Sequence, residues 1–203
     1  MSKKKNEILV PAGVQQVLLH ACCAPCSSAI VEWMLQHDIR STIFYFNPNI
    51  FPREEYDIRK EESKRHAESL GLQWIDGDYD HQRWLEAVRG LEGEPERGSR
   101  CLQCFSYRLK VAALQAKALG LEYFTTTLAS SRWKSLEQIT EAGLRAQAAV
   151  PGTTFWAQNW VRAVCRIVAT NCYANTLSTT SSIAVVSSAC VCQRNKWVWR
   201  RSA

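Results

Sequence analysis

The residues best suited to chemistry are five cysteines in two short clusters. Cys22, Cys23 and Cys26 follow directly on the apolar run 17–20, and Cys101 and Cys104 form a Cys-x-x-Cys pair much later in the chain. Adjacent cysteines are poor disulfide partners, because their Cα atoms lie too close together for relaxed disulfide geometry. Thiolates from separate stretches of chain can instead converge on one metal centre, and iron–sulfur clusters take four of them. The pattern therefore indicates a bound metal centre rather than disulfide cross-links.

The remaining composition favours an intracellular protein. The Lys-rich segment 1–7 is not followed by an apolar stretch that suits a signal peptide, and no run approaches the ~20 apolar residues of a membrane span. In such a protein nine cysteines indicate metal or redox chemistry. A length of 203 residues fits one domain with a sizeable core.

Strands alternate with helices through residues 1–160. The patterns predict strands at 16–20, 41–46, 72–75 and 123–127, and helices at 27–36, 52–70, 81–88, 109–119 and 136–147. Ser27 is the expected N-cap of the first helix, after the cysteine turn. This order predicts a single α/β domain with a parallel sheet and helices on both faces, Rossmann-like or HUP-like. Its functional site would lie at the carboxyl ends of the strands, where the cysteine turn and the loops 47–49 and 125–127 meet.

Several motifs together resemble the epoxyqueuosine reductases of the QueH type. They are His-Ala-Cys-Cys-Ala-Pro-Cys at 20–26, Tyr-Phe-Asn-Pro-Asn-Ile at 45–50, Asp-Tyr-Asp at 78–80, the runs 90–96 and 100–105 around the second cysteine pair, and Phe-Thr-Thr-Thr-Leu at 124–128. The resemblance covers about residues 17–160. It implies a cytoplasmic oxidoreductase that opens the epoxide of epoxyqueuosine at the wobble position of tRNA to give queuosine. An electron donor, which the sequence does not identify, would be a second partner.

The resemblance also implies roles for the five cysteines. Cys22, Cys23, Cys101 and Cys104 would hold a [4Fe–4S] cluster. Cys26 matches a position that resembles a ligand of a further iron ion beside that cluster, which would make it catalytic. No cobalamin is implied.

Other side chains are candidates for proton transfer and for tRNA contact. Asp78 and Asp80, with Tyr79 between them, could donate protons as the epoxide oxygen departs, although a solvated loop would look the same. Arg97, Arg100 and Arg108 flank the second cysteine pair and could contact tRNA phosphates, or be ordinary surface charges. His20 is expected to pack inside its strand, and the tryptophans are expected mostly in the core.

Residues 161–203 depart from the family pattern. They carry all six excess positive charges of the chain and no acid. A basic tail is typical of a nucleic-acid-binding arm. However, residues 161–166 and 179–188 can be written in codons that, with one added base, would encode Arg-Lys-Gly-Gly-Leu-Ser and Tyr-Asn-Gln-Gln-Tyr-Cys-Gly-Cys-Val-Phe, which resemble family segments. We therefore interpret 1–160 as the catalytic domain and 161–203 as a frameshifted, poorly ordered tail. The family's Cys-Gly-Cys resembles a redox disulfide, a role that we do not transfer to Cys190 and Cys192.

Two other classes of function stay open. A thiol–disulfide or zinc-binding protein could use the same five cysteines, although the adjacent pair fits the usual zinc-ligand spacing poorly. A non-catalytic RNA-binding module would need basic and aromatic clustering. Residues 1–160 are neutral overall and show little of it.

Overall fold

The fold is built around strand β1, which is buried along nearly its whole length. The computed structural model describes residues 8–161 and two short segments, 191–193 and 196–198. Five strands form the sheet, β1 (Gln16–Ala21), β2 (Arg40–Tyr45), β3 (Trp74–Asp76), β4 (Tyr123–Thr126) and β5 (Thr154–Phe155). Their order is β3-β2-β1-β4-β5, and every neighbouring pair is parallel. The predicted α/β fold with a parallel sheet is confirmed.

Five helices connect these strands and cover the two faces of the sheet. They are α1 (Ala24–Gln36), α2 (Arg53–Ser69), α3 (His81–Ala87), α4 (Ser99–Ala118) and α5 (Leu136–Ala149). The chain first moves outward from β1 to β3, and then crosses back to β4 and β5. Because such crossovers are right-handed, the two directions place their helices on opposite faces. In agreement, α1 packs against α2, and α4 packs against α5.

The strand order reverses between β1 and β4. The cysteine turn follows β1 at this point, and a short 3-10 helix, Thr127–Ser130, follows β4. In open α/β sheets this reversal leaves a crevice at the carboxyl ends of the strands. The cysteines therefore lie where the fold most readily builds a site.

Two helices begin earlier than the sequence indicates. Helix α1 begins at Ala24 with Cys23 as N-cap, so the prediction of Ser27 as N-cap is wrong. Pro25 explains the earlier start, because its fixed φ suits the first turn of a helix. Ser27 lies inside α1, and its hydroxyl donates to the carbonyl oxygens of Cys23 and Ala24. Helix α4 begins at Ser99, which places Cys101 and Cys104 in its first turns.

The packed core extends to Trp160. The Trp160 ring is fully buried and contacts the rings of Trp33 and Trp156. Its Nε1 donates to the Thr125 hydroxyl at 3.3 Å, and that hydroxyl donates to the Trp156 carbonyl at 2.9 Å. These contacts hold the last described residues of the main domain against β4.

Regular structure also occurs in the tail. Strands β6 (Val191–Gln193) and β7 (Lys196–Val198) pair antiparallel, although no strand was expected after residue 160. The other tail residues from 162 onward lie outside the described part of the chain, and so does most of the predicted poorly ordered tail. Among the described residues, no helix is both long and apolar enough to cross a membrane.

Candidate metal centre

Three thiols converge at the end of β1. Cys22 follows the strand, Cys23 is the N-cap of α1, and Cys26 lies in the first turn of that helix. Their sulfur atoms all lie within 4.8 Å of one another, and all three residues are half-buried. The extended backbone at Cys23 followed by a helical turn brings three sulfurs from five consecutive residues to one point. Such a group can hold a thiophilic metal.

The three thiols differ in how readily they ionise. Hydrogen bonds from the Cys23 and Cys26 thiols, then from Thr127, hold the pKa of Cys22 well below its usual range, and the Arg108 cation acts in the same direction. The bond to Cys22 raises the pKa of Cys23 to about 12, and Cys22 and Cys23 also raise the pKa of Cys26. In the free site, the thiolate form is therefore favoured at Cys22 and the protonated form at Cys23 and Cys26. Metal binding would release their protons, because thiolates are the ligands.

Thr127, which follows the neighbouring strand β4, holds Cys22 in place. The Cys22 backbone N–H donates to the Thr127 hydroxyl at 3.0 Å, and that hydroxyl donates to the Cys22 sulfur at 3.3 Å. The two residues follow β1 and β4, the two strands that flank the reversal of strand order. The conformation of the cysteine turn is thus tied to the neighbouring strand.

The second cysteine pair lies on one face of α4, since residues three apart on a helix are neighbours. The Arg97 backbone N–H donates to the Cys101 sulfur, and the Trp84 indole donates to the Cys104 sulfur, both at 3.3 Å. Hydrogen bonds to sulfur tune metal–thiolate centres. Neither sulfur belongs to the three-sulfur group of the first turn within the described chain. Cys26 is the residue that groups with Cys22 and Cys23.

A buried polar network lies behind the thiols. The His20 Nε2–H donates to the Phe46 carbonyl at 3.0 Å, so its Nδ1 accepts from the Thr126 hydroxyl at 2.8 Å. Burial, and next the Arg108 cation, lower the pKa of His20 to about 3. His20 is therefore neutral at physiological pH. It packs inside its strand, as expected, and joins β1 to β2 and β4.

Arg108 is buried, with 3% of its surface exposed. Its Nη2 donates to the Asn47 side-chain oxygen, and Asn47 in turn donates to the Ala21 carbonyl at 2.9 Å. The Arg108 Nε has no partner, and no carboxylate pairs with this guanidinium in the described residues. In this structure Arg108 offers almost no surface to a tRNA phosphate, and the predicted contact stays a prediction. The network instead connects α4, one turn after Cys104, with the residue before Cys22.

The other predicted arginines have partners near the second cysteine pair. The exposed Arg97 donates to the backbone carbonyls of Arg132 and Trp133 at 3.0 Å. Arg100, half-buried, donates to the Glu92 carbonyl at 2.9 Å. Both lie near the start of α4, on the side of Cys101.

The acidic candidates lie on the loop after β3. Asp78 is exposed with a φ of 60°, and its N–H donates to Asp76. Asp80, also exposed, caps α3 by accepting the Arg83 N–H at 2.9 Å. Tyr79 donates its hydroxyl to the Ile50 carbonyl. Asp80 and Tyr79 therefore have structural roles in this loop. Proton transfer by Asp78 and Asp80 remains a prediction.

Sequence reasoning missed two contributors to the site. Trp84 gave no signal because no pattern in the chain connects it to Cys104. Asn47 was expected only to end its strand. The spacing of Arg108 seven residues after Cys101 and four after Cys104 could have placed it on their helix face. Among the doubtful tail cysteines, Cys192 lies in β6 and Cys190 outside the described residues.

Comparison with known proteins identifies the family. The model of the family "Epoxyqueuosine reductase QueH" matches residues 17–175. The chain belongs to the QueH family. Its relatives include epoxyqueuosine reductase QueH of Acinetobacter baylyi, 45% identical over 160 residues, and QueH of Haemophilus influenzae, 44% identical over 156 residues. QueH of Thermotoga maritima is 34% identical over 130 residues.

These matches leave part of each QueH relative uncovered. They span 79%, 77% and 63% of this chain, and 73%, 64% and 66% of the Acinetobacter, Haemophilus and Thermotoga proteins. The family-model match continues past Trp160 to residue 175, beyond the expected boundary. As their name says, QueH proteins are reductases, and so the family is one of oxidoreductases.

Proposed function

We propose that this chain reduces the epoxide of epoxyqueuosine in the tRNA wobble position, giving queuosine, by means of an iron–sulfur centre at the thiol cluster. The observation that carries the proposal is the convergence of Cys22, Cys23 and Cys26 at the reversal point of the sheet, in a chain of the QueH family. The folded catalytic unit would be residues 1–160, and its partners would be tRNA that carries epoxyqueuosine and an electron donor that is not yet identified.

The reaction defines what the site must supply. Conversion of an epoxide to an alkene breaks both C–O bonds, takes up two electrons and two protons, and releases the oxygen as water. Side chains can donate the protons, whereas a pair of cysteine thiols supplies two electrons only by becoming a disulfide, which must then be reduced again. A bound iron–sulfur centre supplies electrons one at a time and can act as a Lewis acid on oxygen.

The donor set fits such a centre. We assign Cys22, Cys23, Cys101 and Cys104 to a [4Fe–4S] cluster and Cys26 to an additional iron ion, because all five thiols lie on segments near the same strand ends. The soft sulfur ligands favour iron–sulfur assembly over hard metals. A buried cation without a counter-ion is costly, and a centre held by several thiolates is negatively charged. The orphaned charge of Arg108 therefore supports an anionic group at this position.

The remaining residues would position and protonate the substrate. Asp78 and Asp80 are our proposed proton donors, because both are exposed on the loop after β3 at the same edge of the sheet. Arg97 and Arg100 are proposed to lie toward the tRNA backbone beside the second cysteine pair. Thr127 and Asn47 hold the cysteine turn while the substrate binds.

Anaerobic expression tests the centre directly. The protein should contain iron and acid-labile sulfide and should show a visible sulfur-to-iron charge-transfer band. Cys101→Ser or Cys104→Ser should abolish the band, and the matched Cys165→Ser variant should keep it. Incubation with a reductant and tRNA that carries epoxyqueuosine should yield queuosine, detected by mass spectrometry of the digested tRNA.

Two results would contradict this function. Stoichiometric zinc without sulfide or a visible band would favour the zinc-binding alternative. A protein with its cluster that leaves epoxyqueuosine intact, under conditions where a QueH relative converts it, would refute the substrate.

A further inference from the structure

A ladder of stacked aromatic rings lies beside the second cysteine pair. The rings of Phe51 and His81 are 5.2 Å apart between centroids and inclined by 24°, and those of His81 and Trp84 are 5.4 Å apart and inclined by 25°. Tyr79 lies parallel to His81 at 6.0 Å. We call Phe51, Tyr79, His81 and Trp84 the aromatic ladder. Its inner end reaches the thiols, because the Trp84 indole donates to the Cys104 sulfur.

The ladder is rigidly built. The His81 Nδ1–H donates to the Pro48 carbonyl at 2.7 Å, and the Tyr79 hydroxyl donates to the Ile50 carbonyl at 2.9 Å. These two bonds join the loop after β2 to the loop and helix after β3. The planes of the His81 and Tyr79 rings are therefore fixed before any ligand arrives, and His81 offers the Phe51 ring a fixed surface to stack on.

The outer end of the ladder is open. Phe51 has 73% of its surface exposed, although one face of its ring lies against His81. Hence the opposite face is available for stacking by a flat ring. Nucleobases meet this description, and proteins that read unpaired RNA stack its bases on such rings.

The charges around the ladder distinguish a base from a phosphate. The exposed carboxylates of Glu54, Asp78 and Asp80 lie on the same loops and on the first turn of α2. Arg53 stacks over the Tyr79 ring at 4.9 Å, but it also forms an ion pair with Asp57. A phosphate would be repelled by these carboxylates, whereas an uncharged base would not.

We infer that the exposed face of Phe51 is a stacking site for one unpaired nucleobase of the anticodon loop, next to the modified nucleotide. The inference rests on the proposed function, since it takes tRNA as the substrate. The site holds a neighbouring base, and thereby directs the modified nucleotide toward the cysteines, which the ladder contacts through Trp84.

Binding of a fluorescein-labelled anticodon stem–loop RNA tests the site. By anisotropy, Phe51→Ala and Phe51→Leu should each bind about tenfold more weakly, as expected for the loss of one base–aromatic stack. Phe51→Tyr keeps the ring and should bind like the unaltered protein. Leu144→Ala, which also removes exposed apolar surface, is the matched control and should change nothing.

The stacked base can be located by a double-mutant cycle. Each loop nucleotide is replaced in turn by an abasic one, and the effect of Phe51→Ala should vanish for only one of these RNAs. Equal binding by Phe51→Ala and the unaltered protein would overturn the stacking site while leaving the proposed function intact. Failure of the unaltered protein to bind the RNA would count against both. A change of oligomeric state in Phe51→Ala would overturn the inference in favour of a second copy of the chain.

Discussion

At the scale of single residues, charge decides how the candidate site works. Three thiols within 4.8 Å cannot all ionise without compensation, and in the free protein the charge concentrates on Cys22. Arg108 is the buried cation that acts on this thiolate, and it has no carboxylate partner in the described chain. Its positive charge therefore stabilises the reduced, more negatively charged form of a centre bound at this site.

Substitution of Arg108 should consequently change the redox properties of the loaded site. We expect Arg108→Met to shift the one-electron reduction equilibrium about tenfold toward the oxidised form, about 59 mV for one electron. A potentiometric titration followed by electron paramagnetic resonance measures this shift. Arg108→Lys keeps the charge and should shift the equilibrium much less. An equal loss in both variants, or none in either, would contradict the electrostatic role, and thermal unfolding of both variants would reveal simple misfolding.

At the scale of elements, the sequence predicted the order of strands and helices better than their boundaries. The cysteine turn, the alternating strands and the site at the carboxyl edge follow from short motifs and from the rules of parallel sheets. The start of α1 was misplaced because Pro25 as a first-turn residue outweighed Ser27 as a cap. Strand β5 was missed because two residues are too few to show the alternation of apolar and polar side chains that predicts a strand. The contacts of Arg108 and Trp84 could not be predicted, since they depend on how α4 packs against the sheet.

The packing of α5 on the sheet depends on one glycine. A Cβ on Gly143, in the middle of α5, would collide with the buried ring of Phe155 on β5. Alanine favours a helix by up to ~1 kcal/mol over glycine, but crowding a packed core costs about 1–3 kcal/mol. We therefore expect Gly143→Ala to lower the free energy of unfolding, measured by denaturant titration.

The chain contains a matched control for this change. Gly93 has a negative φ, and a Cβ there would meet no atom within 4 Å. Gly93→Ala should thus leave the free energy of unfolding unchanged or raise it slightly. If Gly143→Ala proved as harmless as Gly93→Ala, close contact between α5 and β5 would not be what requires glycine at this position.

At the scale of the whole molecule, the chain joins a well-built domain to a tail of different character. Residues 1–160 are neutral in sum, and those of them that the structure describes are packed in one α/β domain. The segment 161–203 has six basic residues, ten Ser or Thr and no acid. Its first fifteen residues still fall within the family-model match, which ends at residue 175. We propose that a displaced reading frame accounts for the family-like segments that codons for this stretch can be written to encode.

Restoration of the reading frame is therefore expected to restore full activity. The codon after Trp160 would receive one added base, which would return the Arg-Lys-Gly-Gly and Cys-Gly-Cys segments that the family resemblance implies for substrate positioning and thiol relay. A queuosine-deficient strain should then contain queuosine at a level that exceeds, by orders of magnitude, what the 203-residue chain supports. The same restored gene with Cys22→Ser, produced in equal amount, is the control and should yield none. Comparable queuosine levels from the 203-residue chain and the restored chain would show that residues 161–203 meet the needs of catalysis as they stand, and that the frame was never displaced.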